Sequence, residues 1–496
     1  MKSKESIMLF GVVAGPSIQI AEEEIFSQLE WIDAVEFRLD LFTDLDLMQL
    51  KSLLKKLPIP VLFTLRRQDQ GGGFTQPEKI RLPFIEKLCQ LQPDFFDLEY
   101  DTSISFRKKL FLDHPKIRFI ASYHNFETFP KLDHLLSFLF TPYAHFYKIA
   151  IRCSSSVQAL ELLLLSKKYT NLVTIGLGER AQFTRLIAPI LGMPFSYVAL
   201  KLQTAPGQLQ LKDLLLYRFS TLNPTTAIYA LLGDPIDTSL SPIAHNAVFS
   251  AQKRNALYCK IPCDQNELPK CLNLIQQLPF KGLSITMPLK EKIASITHSL
   301  QIAINTLVID SKITGFDTDG ISAIQVLEKK TTLFEKKIVL FGSGGVAQAI
   351  AQEAIGKGAF ITFINRTREK AIRLAKIYRC RGGGVELFPL HYDIIIQCTP
   401  NPDCIQSEWI CSHSIAMETV YQPHWTEFLK KASLKNCKLI FGKELFIHQA
   451  VQQQKLWDSS FSEEELEQVI AQAIHKIESH DKVKFTAFRD KSRRTL

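Results

Sequence analysis

A lysine inside an apolar strand-like run, a histidine closing another and an arginine behind a third are residue types suited to carbonyl chemistry. Lys148 sits in FYKIAI (146–151), His124 follows RFIASY (118–123), and Arg66 follows VLFTL (61–65). Period-two alternation aims Lys148 inward, and burial without a carboxylate partner disfavours a charged amine. A neutral amine attacks a ketone to give a Schiff base, which then serves as an electron sink. The competing expectation is a lysine that snorkels to a rim. His124 supplies a proton acceptor that titrates near neutrality. Arg66 and Arg185 would hold a substrate carboxylate by bidentate hydrogen bonds.

A second set of residues lies in the other half of the chain. KKIVLFGSGGVAQAIAQEAIGKGAFITFINRT (336–367) reads as strand, glycine-rich turn, helix, strand. Gly342, Gly344 and Gly345, with Ser343, Val346 and Ala347 among them, let the backbone approach a diphosphate at a helix N-terminus. The second strand ends in Asn365, Arg366 and Thr367. An acidic residue there would bind a ribose 2′-hydroxyl, whereas Arg366 offers a cation to a 2′-phosphate, so NADP is the expected cofactor. Arg368 and Lys370 are either helpers or solvated charge. Upstream, SLSP (239–242), LSITMPLKEKI (283–293), INT (304–306) and GFDTDG (315–320) place Ser239, Ser241, Thr286, Lys290, Asn305 and Asp319 near strand ends or turns. Such an array suits a polyhydroxylated ring. Lys290 and Asp319 would form a proton-transfer pair for a carbonyl becoming a hydroxyl. Read singly, SLSP is a helix N-cap with proline in the first turn, and DTDG is a turn.

The elements that must position these groups differ between the halves. Strand-like runs at 8–14, 34–39, 61–65, 95–100, 118–123, 146–151, 172–177 and 195–200 alternate with helix-period segments such as SVQALELLLLSKKY. Eight βα units over about 200 residues is the rhythm of a (β/α)8 barrel, with an open doubly wound sheet as the alternative. Function in such a barrel gathers at the C-terminal strand ends. Glu36 and Arg38 lie in the second strand, Arg66 just past the third and His124 just past the fifth. Lys148 is inside the sixth, Arg185 follows the seventh, and Thr204 and Gln208 follow the eighth. The expected fold is therefore α/β, with a barrel over 1–218, a linker over 219–227 and a substrate domain over 228–330. A Rossmann-type domain follows over 331–444. Helices at about 445–480 would return to complete the substrate domain, leaving a basic tail over 481–496.

Taken together, EFRLD (36–40), FTLRR with its following glycines, SYHNF (122–126), KIA (148–150), GERAQFTR (178–185) and TAPGQ (204–208) resemble type I 3-dehydroquinate dehydratases over nearly all of 8–210. The resemblance implies dehydration of 3-dehydroquinate, with Lys148 as Schiff-base lysine and His124 as general acid/base. Glu36, Arg38, Arg66, Arg185, Thr204 and Gln208 match substrate-holding positions. Gln70 departs from the family's usual Glu. Residues 228–475 resemble shikimate dehydrogenase, including QCTP (397–400), VYQP (420–423) and GKELFIHQA (442–450). That resemblance makes Lys290 and Asp319 catalytic, gives the paired serines to the substrate carboxylate, and assigns Thr286, Asn305, Tyr421 and Gln449 to the ring or nicotinamide. Thr399 joins the cofactor set. Ser284 and Asp317 stand where the family usually has Asn. The implied whole is a bifunctional enzyme making 3-dehydroshikimate and then reducing it with NADPH. An NAD-linked quinate dehydrogenase and a non-catalytic metabolite sensor are the alternatives.

Composition fits this. The 496 residues are 46% hydrophobic and 22% charged, with a net charge of +9 that favours small anionic substrates. The basic cluster at 482–494 lacks interleaved aromatics and reads as a solvated tail, not a nucleic-acid arm. Ten cysteines without paired CxxC spacing point to free thiols in a reducing compartment and to no metal. Neither a signal-peptide pattern nor a membrane-length apolar run occurs, so a soluble cytoplasmic enzyme is expected.

Overall fold

The computed structural model describes residues 7–298, 301, 303–401, 403–457 and 460–476. The basic cluster expected to be a solvated tail lies outside them. Contacts divide the chain into two units, Met1–Ile228 with Asn255–Phe280, and Tyr229–Arg254 with Lys281–Leu496.

In the first unit the strands are β1 (Met8–Val13), β2 (Ala34–Arg38), β3 (Val61–Thr64), β4 (Phe95–Glu99), β5 (Arg118–Asn125), β6 (Phe146–Arg152), β7 (Leu172–Leu177), β8 (Phe195–Ala199) and the short β9 (Leu209–Gln210). They run in parallel in the order β7-β6-β5-β4-β3-β2-β1-β8-β9. Because β1 pairs with both β2 and β8, the sheet curls into barrel order and is not doubly wound. The seam between β7 and β8 carries no ladder among the described residues. Each of β1–β7 is followed by a helix, several of them opened by a side-chain cap. Asp46, for example, accepts the amides of Met48 and Gln49 ahead of Leu47–Lys56.

The barrel interior follows from alternation along each strand. Phe10, Phe95, Phe146 and Phe195 form a plug of edge-on and tilted rings with centroids 5.2–6.2 Å apart. Two residues further along three of these strands, the same face presents Asp97, Lys148 and Tyr197. The apolar layer thus lies below an ionisable one. Strand β5 runs to Asn125, so His124 belongs to the strand and does not follow it. The 219–227 segment is no loose tether. Phe219–Thr221 is a 3₁₀ turn, Phe219 and Leu222 are buried, and Asn223 receives hydrogen bonds from Thr225.

The next strands are β10 (Ala227–Gly233), β11 (Ala256–Pro262, grouped with the first unit), β12 (Phe280–Ile285), β13 (Thr306–Ile309) and β14 (Ile313–Phe316). β10, β12, β13 and β14 lie side by side in that order, and the last two joins are antiparallel. β13 and β14 thus enter this sheet as an antiparallel hairpin at its edge. DTDG is more than a turn, because Asp319 opens the helix Asp319–Glu328.

A separate six-stranded parallel sheet holds β15 (Lys337–Phe341), β16 (Phe360–Ile364), β17 (Arg381–Gly383), β18 (Ile394–Gln397), β19 (Ile415–Glu418) and β20 (Lys438–Ile440), ordered β17-β16-β15-β18-β19-β20. The order reverses at β15, the switch point where doubly wound sheets bind ligands. Helix Gly442–Trp457 and the helix at 463–476 bury Phe446, Val451, Leu466, Ile470 and Ile474 against Ala244 and Val248 of helix Ser241–Ala251.

Candidate active sites

All eight residues singled out in the barrel line one cavity: Glu36, Arg38, Arg66, His124, Lys148, Arg185, Thr204 and Gln208. The premise that Lys148 lacks a carboxylate partner is corrected. Its Nζ pairs with Asp97 of β4, and both side chains are buried. Asp97 also accepts from Ser122 Oγ at 2.5 Å and pairs with Arg66 at 2.7 Å. Burial pushes the Asp97 carboxyl up, but Arg66 and Lys148 outweigh it and hold the group below its ordinary value.

Arg66 is correspondingly unsuited to an open clamp. Its guanidinium faces Asp97, Glu99 at 3.5 Å and Ser122 Oγ at 2.7 Å. Arg38 is likewise bound in a two-pronged pair with Asp40, at 3.0 and 2.8 Å. Arg185 is different. Its Nε and Nη2 are buried without a partner, and burial pulls it down to about 10. A buried, unneutralised guanidinium is a receptor for a carboxylate. Glu36 accepts Thr64 Oγ1 at 2.6 Å, and the Gln208 side-chain carbonyl accepts Thr204 N at 2.7 Å.

His124 keeps a buried Nδ1 without a partner. Burial first, and then the charges of Arg66, Lys148 and Arg38, push it well below its usual 6.5. Gln70 takes a structural part here: its Oε1 accepts the His124 backbone amide at 2.8 Å. Next to it, Gly71 has φ +74°, and a Cβ there would come within 2.1 Å of Phe126, so glycine is required. With His124 as the expected base, active when neutral, kcat of the barrel reaction at saturating substrate, where the lysine is already engaged, should stay flat from pH 8 down to 6. An ordinary histidine would already lose about half its activity at 6.5. A measured acid limb centred at 6.5 or above would contradict this environment.

In the second unit Lys290 opens helix Lys290–Ile296 and its Nζ donates to Asp319 Oδ2. A cation at a helix N-terminus is disfavoured by the helix dipole, whereas Asp319, opening its own helix, is favoured. Asn305 Nδ2 donates to Asp319 Oδ1 at 2.8 Å and to Thr318 Oγ1 at 2.9 Å, so this fully buried amide orients the carboxylate. Ser239 Oγ donates to Ser241 Oγ at 3.1 Å, and Tyr421 hydrogen-bonds Ser239. Thr286 is half-buried just past β12. Gln449 is half-buried on helix Gly442–Trp457, one turn before Gln453 on the same helix face. Gln453 was not singled out from the sequence, although the Gln449–Gln453 spacing marks one face. It accepts Ser284 Oγ at 2.9 Å and donates to Asn305 O at 3.1 Å. Ser284 thereby has a defined partner where the family has Asn.

Asp317 Oδ1 accepts the Asp319 amide at 2.9 Å. Burial, followed by the charge of Asp319, raises Asp317 to about 7. A folded-state value above the unfolded one means the native protein retains a proton there that the unfolded chain releases. Stability from this group is therefore present at about pH 4 and lost as pH rises through about 7. Asp317→Asn should raise Tm more at pH 8 than at pH 4.5, by thermal unfolding. An equal change at both values would rule out this carboxyl as the source.

The glycine turn runs from β15 into helix Gly345–Gly356. Gly342, at φ +128°, would bring a Cβ within 2.9 Å of the Cys398 carbonyl. Gly344 caps helix Gly345–Gly356, and a Cβ there meets nothing within 4 Å. That open space over an N-terminus fits a diphosphate, and a side chain would fill it. Ser343, Gly345, Val346 and Ala347 continue the turn into the helix. Asn365 is half-buried and donates to Thr367 O at 3.1 Å, while Arg366 and Thr367 are exposed. Arg368 faces Glu386 at 3.4 Å. Thr399 Oγ1 donates to Asn401 O at 2.9 Å just past β18. No metal-holding group occurs among the described residues, their ten cysteines are free, and no helix is long and apolar enough to cross a membrane.

Fold and site together define an α/β barrel with a buried amine, joined to a dinucleotide-dependent dehydrogenase. The type I 3-dehydroquinase profile matches residues 10–222, and the shikimate dehydrogenase substrate binding domain profile matches 231–306. The Chlamydia pneumoniae shikimate biosynthesis protein AroDE is 33% identical over 473 residues, covering 92% of this chain and 96% of that one. The Arabidopsis thaliana chloroplastic bifunctional 3-dehydroquinate dehydratase/shikimate dehydrogenase is 30% identical, covering 85% and 77%. The Pyrococcus furiosus shikimate dehydrogenase (NADP(+)) is 32% identical across 51% of this chain and 97% of its own length. The chain belongs to the family of bifunctional 3-dehydroquinate dehydratase/shikimate dehydrogenases.

Proposed function

We propose that the barrel dehydrates 3-dehydroquinate to 3-dehydroshikimate and that the second unit reduces this product to shikimate with NADPH. The observation that carries the first step is the buried Lys148 beside His124, facing the same cavity as the unpartnered Arg185. Lys148 Nζ attacks the ketone, and the iminium acidifies the neighbouring C–H. His124, neutral by virtue of its surroundings, removes that proton and returns it to the departing hydroxyl. Arg185 receives the substrate carboxylate, while Glu36, Arg38, Arg66, Thr204 and Gln208 shape the rest of the cavity.

In the second site Ser239 and Ser241 would hold the ring carboxylate and Thr286, Asn305, Tyr421 and Gln449 its hydroxyls. Lys290, paired with Asp319, delivers the proton to the carbonyl oxygen. Gly342–Ala347 and Thr399 would hold NADPH, which would supply the hydride. The domain limits read from the sequence (1–218, 228–330, 331–444) and a reducing compartment such as the cytoplasm complete the proposal.

The test is a single tube with 3-dehydroquinate, NADPH and the protein, followed for NADPH loss and shikimate. Loss with 3-dehydroshikimate but not with 3-dehydroquinate would remove the barrel reaction. Arg366→Ala should raise KM for NADPH about 10–100-fold, the scale of a charge-assisted contact, and leave KM for NADH nearly unchanged. Equal effects on both cofactors would dismiss the 2′-phosphate role.

A further inference from the structure

We propose that a buried row of alternating charges, Glu78–Arg81–Glu99–Arg66–Asp97–Lys148, sets the charge state of Lys148, with Arg81 a positioning residue remote from the substrate. The inference rests on Lys148 being the Schiff-base lysine. The links are continuous. Arg81 Nε meets Glu78 at 2.7 Å, and Arg81 Nη1 meets Glu99 Oε2 at 2.7 Å. Glu99 Oε1 stands 3.5 Å from Arg66, Arg66 stands 2.7 Å from Asp97, and Asp97 pairs with Lys148. Only Glu78 reaches solvent appreciably, its side chain 42% exposed against 0–4% for the others.

Two features make the row more than a set of ion pairs. Three cations and three carboxylates alternate, so each inner charge is shared between two opposite neighbours and cannot change without unbalancing the next. Arg81 and Glu99 also grip the backbone around Arg66. Arg81 Nη1 donates to Leu65 O at 3.2 Å, and Glu99 Oε1 accepts Arg67 N at 3.0 Å. The guanidinium that competes with Lys148 for Asp97 is thus held from outside the cavity. Lys148 must lose a proton to attack a ketone. Condensation then releases water and restores the positive charge as a protonated iminium, so the same row governs both states. The other ionisable groups on the cavity side are His124, Glu36, Arg38, Arg185 and Tyr197, whose ring lies 4.9 Å from Lys148 Nζ.

The experiment measures carbamylation of Lys148 by cyanate against pH, resolved by peptide mass spectrometry on the full-length protein. Glu99→Gln removes a negative charge at nearly constant shape and should move the labelling midpoint to lower pH. Arg81→Met leaves Glu99 uncompensated and should move it higher, each by about half a pH unit or more. Arg81→Lys should return the midpoint towards that of the unaltered protein. Opposite displacements support the row, since a purely structural role would not give them. Displacement in one direction for both, or none, overturns it. Should Arg81→Met fail to fold, Glu99→Gln decides alone, because a midpoint unmoved or raised overturns the proposal. Cyanate needs no substrate. Opposite shifts without a borohydride adduct at Lys148 would keep the row and discard the dehydratase reading.

Discussion

Treating the protein with 3-dehydroquinate and borohydride should leave a covalent adduct on Lys148, and Lys148→Ala should abolish both adduct and dehydration. Loss of a covalent nucleophile is expected to cost at least ~10⁴-fold in kcat. The size of the effect follows from the surroundings. Asp97 would be left without one of its two cations, and His124 would have no iminium to act beside. The dehydrogenase activity measured with 3-dehydroshikimate should persist, since its residues belong to the second unit. Dehydration that survives in Lys148→Ala within tenfold, with no adduct in the unaltered protein, would end the Schiff-base mechanism.

Lys290→Ala and Asp319→Asn should each lower kcat for NADPH-linked reduction by about 10²–10⁴-fold, the range for removing a positioned proton donor. KM for NADPH should change little, because neither residue belongs to the glycine turn. The double variant should be scarcely worse than either single one, since Lys290 and Asp319 form one ion pair and act as a unit. Steady-state kinetics of the three variants decide this. Additive losses, or unchanged kcat in either single variant, would separate the two roles.

Much of the architecture was legible because its signals are local. Period-two runs gave the eight barrel strands, and GSGG between two apolar runs gave the nucleotide turn. Lys148 was found because one ionisable residue in an apolar run is conspicuous. Asp97 and Glu99 stood in FFDLEY and carried the same signal, yet their meaning depends on β4 lying beside β5, and β5 beside β6, across long sequence separations. The division of labour among the arginines was hidden for the same reason. Arg66 and Arg185 look alike in sequence, but only the folded chain surrounds one with carboxylates and leaves the other bare. The end of β5 lies two residues beyond the apolar run, at Asn125, because strand ends are weakly marked where polar residues such as His124 close them. The antiparallel hairpin of β13 and β14 is unmarked in the sequence because its strands are short and their pairing is set by neighbours.

The ring plug of Phe10, Phe95, Phe146 and Phe195 has a consequence for traffic. With that end of the barrel filled by rings, neither substrate nor product passes through it, and both are confined to the face that Lys148 and the strand ends present. Every departing molecule blocks the next arrival for its own residence time.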